Sequence, residues 1–137
     1  MKQEEKDLLL KDLCARLPYE VKCNISRKNG TCIKSRTIDS ILDCHWLSEC
    51  KSDFYEIKPY LFPLSSMTEE QCEKFKIISG WDGEWEDVKR GKFSCVGYIG
   101  LDYIYDTIDW FNKNHFDYRG LIEKSLALDA TNLGVYK

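Results

Sequence analysis

The sequence predicts a small α+β domain in which an antiparallel β-sheet of four or five strands, open or partly closed into a barrel, packs against N-terminal, middle and C-terminal helices. Three observations support this fold class. Leucines recur at helical spacing near the N-terminus, apolar residues alternate around an Asn-Gly turn, and two later segments carry helical patterns. At 137 residues the chain is expected to form a single domain, residues 1–137, whose core needs neither a metal nor a disulfide.

The N-terminal segment KQEEKDLLLKDLCARL is predicted to be an α-helix because Leu9, Leu10, Leu13 and Leu17 recur at helical spacing. Acidic residues come early and Arg16 comes late, as the helix dipole favours. The helix should end at Leu17, because a residue that precedes proline is pushed out of the helical region.

A β-hairpin is predicted over residues 19–36, with Cys23 facing the core. A two-residue loop at positions 29–30 would pair Ile25 with Lys34. A three-residue loop would pair Ile25 with Ile33 and collect the apolar residues on one face, so this register is preferred.

Further strands are predicted at DCHWLSEC (43–50), DFYEIKPYLF (53–62) and FSCVGYIG (93–100). Proline cannot donate a ladder hydrogen bond, so Pro59 should mark an edge of the sheet or the exit of its strand from it.

The middle helix is predicted within LSSMTEEQCEKFKII (64–78), where Thr68 can cap the helix and Gln71 can bond back to it. Its apolar face would contain Cys72, Phe75 and Ile78. The following segment, residues 79–93, is interpreted as a loop or a second, irregular hairpin.

The C-terminal third is predicted to be helical. Asp106 or Thr107 would cap a helix in DTIDWFNKN, with Ile108 and Phe111 facing the core. A turn at 115–117 would start a further helix, capped by Asp117. The buried side of that helix would contain Leu121, Ile122 and Leu126.

Composition indicates a globular chain, with 43% hydrophobic and 31% charged residues and a net charge of −3. No apolar run is long enough to cross a bilayer, and the first residues are too charged for a signal peptide. A cytoplasmic location is therefore expected, in which the seven cysteines stay as thiols. Residues 19–36 are basic, but the chain as a whole is acidic, so nucleic-acid binding is not expected.

Metal and cofactor sites are not predicted. Structural zinc sites use close ligand pairs such as Cys-x2-Cys, and this chain has none. In an extended strand Cys44 and Cys50 share one face and His45 points to the other, although a site built from these two cysteines and Cys23 remains geometrically possible. A stripe of acidic residues raises a magnesium hypothesis against the simpler interpretation as a solvated helix face. The stripe consists of Asp102, Asp106 and Asp109.

The segment HFDYRG contains the densest cluster of chemical groups, namely His115, Asp117, Tyr118 and Arg119. A base that titrates near neutral pH, a carboxylate, a phenol and a guanidinium would meet at a predicted helix start, a location that favours anions. These four residues are the candidate site for a small anionic ligand. The alternative is that they cap and pack a helix junction.

The segment WDGEW supplies a candidate surface for a partner protein. Trp81, Asp82, Glu84 and Trp85 combine acidic groups with aromatic rings of the kind that dominate interface hot spots. The alternative is that the tryptophans belong to the core.

Three blocks carry a resemblance to a known group. LLLKDLCARLPY (8–19), EIKPYLFPLSSMTEEQ (56–71) and HFDYRGLIEKSLALDA (115–130) together resemble an uncharacterised family of short proteins encoded by phages and mobile elements of gut bacteria. The family has no assigned activity, so the resemblance implies a genetic setting and no chemistry. By analogy, such a protein would act by binding a host component.

The leading hypothesis is therefore a non-enzymatic accessory protein that binds a host protein or a small anionic, nucleotide-like ligand. One alternative is a small metal-independent hydrolase or phosphodiesterase, with His115 as acid-base and Arg119 holding charge. Another is a structural module.

Overall fold

The computed structural model describes residues 2–27, 32–38, 55–81, 83–91 and 101–136. Within these ranges the fold is mixed α+β, as the sequence predicts. The helices are α1 (Gln3–Arg16), α2 (Glu69–Ser79), α3 (Trp85–Lys89) and α4 (Leu101–Lys113). The strands are β1 (Val21–Arg27), β2 (Cys32–Ile38), β3 (Tyr55–Pro63), β4 (Phe116–Asp117) and β5 (Leu128–Asp129).

The sheet is open and mixed, where the sequence suggested an antiparallel sheet or a partly closed barrel. Its described strands run in the order β2-β1-β3-β4, with β5 also paired to β3. The β1 strand is antiparallel to both β2 and β3. The short β4 and β5 strands are parallel to β3.

The chain divides into two compact units. Unit 1 contains Met1–Leu61 and Arg119–Lys137, and unit 2 contains Phe62–Tyr118. This division describes local compactness, and the single domain over residues 1–137 stays a prediction. None of the helices in the described ranges combines the length and the apolar character that crossing a bilayer requires.

The α1 helix of unit 1 confirms the first predicted element. The Glu5 carboxylate accepts a hydrogen bond from the Lys2 backbone N–H at 2.9 Å, and acidic residues occupy the first turn. Leu9 and Leu13 are fully buried. The helix ends at Arg16, one residue before the predicted stop, and a 3-10 turn containing Pro18 follows.

The β1–β2 hairpin forms, but the preferred register is wrong. Ile25 lies opposite Lys34, which is the register of the two-residue loop. A bulge between Ile25 and Ser26 then shifts the pairing by one residue, so that Ser26 lies opposite Cys32. The buried β1 residues pack in one cluster with Leu9 and Leu13 of α1 and Ile57 of β3, which supply apolar neighbours for them. Residues 28–31, which include the predicted turn, lie outside the described part.

The β3 strand confirms the strand predicted at 53–62. Pro59 lies opposite Cys23 and is the last β3 residue paired with β1, after which Tyr60 and Leu61 pair with β5. Proline thus stands where β3 leaves that neighbour, as expected from its missing N–H. The strands predicted at 43–50 and 93–100 fall outside the described residues.

Residues 130–136 bind to the backbone of β1 and β3 within unit 1. The Tyr136 hydroxyl donates to the Tyr60 carbonyl at 2.7 Å and accepts from the Lys22 N–H at 3.0 Å, one residue beyond the last β1–β3 pair. The Lys22 ammonium donates to the Val135 carbonyl and lies over the Tyr136 ring. The Ala130 N–H donates to the Leu61 carbonyl at 2.8 Å.

The helix predicted after residue 117 is wrong, because turns and the short β5 strand occupy this segment. Gly120 and Ser125 have positive φ angles of 72° and 59°, which a continuous α-helix cannot contain. Leu121 and Leu126 are nevertheless buried, as predicted, and the Leu126 N–H donates to the Leu121 carbonyl at 2.9 Å. A compact turn therefore satisfies the same apolar spacing that suggested a helix.

Unit 2 is built around an aromatic core. The Phe75 and Phe111 rings stack with centroids 5.5 Å apart, and the Trp110 and Phe116 rings stack at 5.6 Å. Apolar side chains complete the cluster. They are Met67, Cys72 and Val88.

The predicted start of α2 is confirmed. The Thr68 hydroxyl accepts from the Gln71 N–H at 3.2 Å, and the Gln71 side chain accepts from the Thr68 N–H at 2.9 Å. Cys72 and Phe75 are fully buried, as predicted, and Ile78 is half-buried.

Two other predictions within unit 2 are wrong. The segment expected to be a loop or hairpin contains α3, where the fully buried Val88 anchors one helical turn to the core. The α4 helix begins at Leu101 and not at the predicted cap, so Thr107 lies inside the helix, where its hydroxyl donates to the Tyr103 carbonyl. Phe111 is buried as predicted, and Ile108 is half-buried.

Candidate functional site

Three of the four predicted ligand residues belong to unit 2 and take part in its packing. His115 lies two residues after the end of α4 and has a positive φ of 61°, and its carbonyl accepts from the Phe62 N–H at 2.8 Å. Asp117 is 8% exposed within β4. The Tyr118 ring stacks on Phe111 at 5.4 Å. The helix start that was expected to attract an anion does not form here, so that part of the prediction is wrong.

Arg119, the fourth predicted residue, belongs to unit 1 and lies beside a buried ion pair. The Asp12 carboxylate accepts from Arg16 Nε at 2.7 Å and from the second Arg16 terminal nitrogen at 3.1 Å. Arg119 Nε lies 3.3 Å from the same carboxylate. The Asp12 and Arg16 side chains are 0% exposed, and that of Arg119 is 21% exposed. We call these three residues the buried charge cluster.

Sequence reasoning missed the buried charge cluster because it treated Arg16 only as a charge that suits the helix end. The sequence nevertheless contained a signal for this cluster. Asp12 and Arg16 are four residues apart and fall on the same helical face as Leu9 and Leu13, which is the face that α1 buries. Charged residues on an apolar face imply a partner, since a lone buried charge is costly. In the structure they form a bidentate ion pair within α1, and Arg119 is a second partner of Asp12.

The tryptophans of the predicted partner surface are half-buried and pack against the aromatic core of unit 2. A Cβ atom added to Gly83 would lie 2.2 Å from the Trp81 ring, so this ring covers the glycine closely. The Lys89 ammonium lies 4.4 Å from the centre of the Trp85 ring. Glu84 is exposed, and Asp82 lies outside the described residues. This packing matches the core alternative, and the partner surface stays a prediction.

A groove on unit 2, which sequence reasoning did not anticipate, lies between the start of α2 and the end of α4. Its volume is about 390 Å³, within the roughly 300–1,000 Å³ range of small-ligand pockets. We call it the α2–α4 groove. Its lining residues are Thr68, Glu70, Gln71, Lys74, Trp110, Lys113 and Asn114.

The indole of Trp110 is the aromatic group of this groove. The same ring stacks on Phe116 and lies at an angle to Phe75, with centroids 6.2 Å apart. These neighbours hold the indole in one orientation, so a ligand ring that meets it finds a rigid surface. Tryptophan combines a large apolar area with few rotatable bonds, which favours stacking of a flat partner.

The side-chain amides of the groove have defined hydrogen-bonding orientations. Gln71 Oε1 accepts from the Thr68 N–H, so its amide nitrogen is the end left to donate. The Asn114 amide nitrogen donates to the Trp110 carbonyl at 2.8 Å, so its Oδ1 is the end left to accept. The two amides can thus offer a ligand one donor group, from Gln71, and one acceptor group, from Asn114.

The charge of the groove is positive by one, because two lysines face one glutamate. Lys74 Nζ lies 3.4 Å from Glu70 Oε1, and both side chains are largely exposed. Lys113 occupies the last turn of α4. Helical periodicity alone gave no signal for this site, since it requires knowing which ends of two helices lie together.

The described residues contain no group of three or more Cys, His, Asp or Glu side chains that could hold a metal ion. Of the hypothetical zinc ligands, Cys23 is buried in β1, whereas positions 44 and 50 lie outside the described part. Asp106 and Asp109 are exposed on α4, which fits a solvated face. Burial raises the pKa of the Cys72 thiol above its ordinary value, which keeps this thiol protonated and unreactive at neutral pH.

Comparison of the chain with protein-family models, with curated proteins and with solved structures found no match.

Proposed function

We propose that the protein is a non-enzymatic binding protein, and that its ligand is a small anion with a flat ring that occupies the α2–α4 groove. The observation that carries this proposal is the combination of one rigid indole, two lysines and two oriented amides in a single groove. An aromatic ring and a cationic rim select for ligands that have both a flat apolar part and a negative charge.

The proposal keeps the anionic ligand expected from the sequence but moves it away from the HFDYRG segment. Asp117 is almost fully buried within β4, and the Tyr118 hydroxyl donates to Asn112 Oδ1 at 3.0 Å. Arg119 is engaged by the Asp12 carboxylate in unit 1. These placements give the hydrolase alternative, which used His115 and Arg119, no observation in its favour.

Other hypotheses from the sequence remain predictions. A host-protein partner would need an exposed aromatic surface, and the half-burial of Trp81 and Trp85 reduces the area that they can offer. The origin in a phage or mobile element rests on the resemblance alone and points to no ligand.

The experiment is calorimetric titration of the full chain with phenyl phosphate, which is a minimal probe that combines a ring and an anion. We expect measurable binding at low salt that weakens as ionic strength rises, because exposed lysines are screened by salt. Inorganic phosphate should bind more weakly than phenyl phosphate, since it lacks the ring that meets Trp110.

Charge reversal tests the location. Lys113→Glu should weaken phenyl phosphate binding by about tenfold or more, because it removes one attraction and adds a repulsion. Lys124→Glu is the matched control, since Lys124 is an exposed lysine of unit 1. Equal loss in both variants, or binding that neither lysine affects, would refute the assignment to the α2–α4 groove.

A further inference from the structure

The α2–α4 groove contains one carboxylate, and this group restricts the ligand further. Glu70 repels a bare anion and attracts hydrogen-bond donors. Its partner Lys74 approaches one oxygen, Oε1, at 3.4 Å, while an ionised carboxylate has about four acceptor positions. A ligand that suits the groove therefore carries neutral donors, such as hydroxyl groups, besides its negative charge.

The two amides restrict the ring. Gln71, Asn114 and Trp110 all line the groove. The amide ends left for a ligand are the donor nitrogen of Gln71 and the acceptor oxygen of Asn114. A ring that presents an acceptor next to a donor on its edge would satisfy both amides while it stacks on the indole. Nucleobases have such edges, and their stacking on aromatic side chains is worth roughly 1–3 kcal/mol per base.

The volume of the groove limits the size of the ligand, and the lysines of the groove limit the number of its phosphate groups. A groove of about 390 Å³ is at the small end of the range for ligand pockets, which fits one nucleotide and not a dinucleotide. Lys74 and Lys113 suit a single phosphate group, since the ammonium group acts as a compact point charge.

From these restrictions we infer that the ligand is a free ribonucleoside 5′-monophosphate, an inference that rests on the proposed function. The base stacks on Trp110 and bonds to Gln71 and Asn114. The ribose diol donates to the Glu70 carboxylate, and the phosphate lies between the two lysines.

The test is calorimetric titration of the full chain with AMP, GMP, CMP and UMP, with the 2′-deoxy form of the tightest binder, and with phenyl phosphate. We expect at least one ribonucleotide to bind about tenfold or more tightly than phenyl phosphate, since it adds base-edge and ribose contacts. Removal of the 2′-hydroxyl should cost about tenfold, as expected for a hydrogen bond to a charged group.

Glu70→Gln tests the role of the carboxylate and should reduce the preference for ribose over deoxyribose to less than about threefold. Glu73→Gln is the matched control, because Glu73 is an exposed residue of the same helix that does not line the groove. A ribose preference that persists unchanged in Glu70→Gln would overturn the assignment of this residue.

The outcomes separate the two proposals. Ribonucleotides that bind no more tightly than phenyl phosphate would overturn this inference and leave the proposed function intact. Absence of binding by phenyl phosphate and by every nucleotide would overturn both. Tighter binding of a 5′-phosphorylated triribonucleotide than of its mononucleotide would identify an RNA end and overturn the free nucleotide as ligand.

Discussion

The substitution Asp12→Asn tests whether the buried charge cluster holds unit 1 together. Asparagine keeps the volume of the side chain but removes its negative charge and replaces one acceptor oxygen with a donor nitrogen. The Arg16 guanidinium, 0% exposed, would lose at least one of its contacts at 2.7 and 3.1 Å. Arg119, 3.3 Å from the carboxylate, would lose its attraction as well.

The expected cost follows from this geometry. Removing one partner of a buried ion pair destabilises a protein by about 3–5 kcal/mol, because the remaining charge stays buried. Native domains are stable by only about 5–15 kcal/mol, so this change removes a large share of the total. With a urea dependence of roughly 2 kcal/mol per molar, the unfolding midpoint should fall by about 2 M.

Urea unfolding followed by circular dichroism measures the effect, and hydrogen exchange of the α1 amides locates it in unit 1. Asp106→Asn is the control, since Asp106 is exposed on α4 and the same change there should cost less than about 0.5 kcal/mol. A loss below about 1 kcal/mol in Asp12→Asn would refute the reasoning. The double variant Asp12→Leu/Arg16→Met should cost less than Asp12→Asn, because it removes the buried pair together and leaves only the partly exposed Arg119.

Three further predictions concern two hydrogen-bonding groups, the hydroxyls of Tyr136 and Thr68. Tyr136→Phe should destabilise unit 1 by about 1–3 kcal/mol in urea unfolding, because the hydroxyl bonds to two backbone groups. Tyr105→Phe is the control and should have no effect in the same assay, because Tyr105 is exposed. Burial raises the pKa of Tyr136 above 10.0, so the native state keeps a proton that the unfolded chain loses. The contribution of the Tyr136 hydroxyl to the free energy of unfolding is therefore fully present below about pH 9, and it declines as the pH rises above about 10. The free energy of unfolding should fall less over this pH range in the Phe variant. Thr68→Ala should destabilise unit 2 by about 0.5–2 kcal/mol, because it removes the cap of α2, and unchanged thermal unfolding would contradict this.

Local signals predicted the elements whose cause is local. The α1 helix, the capping box of α2 and the strand around Pro59 depend on neighbouring residues, and the structure confirms each of them. The buried positions Leu121 and Leu126 were also correct, although the helix assigned to them was wrong. Apolar spacing reports which residues are buried, and compact turns can satisfy it as well as a helix can.

Signals that depend on distant parts of the chain were missed. The bulge after Ile25 separates two pairing registers, and no feature of the hairpin sequence alone selects between them. The α2–α4 groove requires the start of one helix to lie beside the end of another. Lys74 and Lys113 are ordinary surface lysines until that arrangement is known.

The division of the chain has a consequence for its synthesis on the ribosome. Unit 2 is one continuous segment, so all of its residues are made before Arg119 is added. Unit 1 combines Met1–Leu61 with Arg119–Lys137. Its β1 and β3 strands are therefore made before β5 and Tyr136, which bond to them. Until Arg119 is made, the Asp12–Arg16 pair lacks its second arginine. A nascent chain that stopped before β5 and Tyr136 would expose the strand edges that these residues cover.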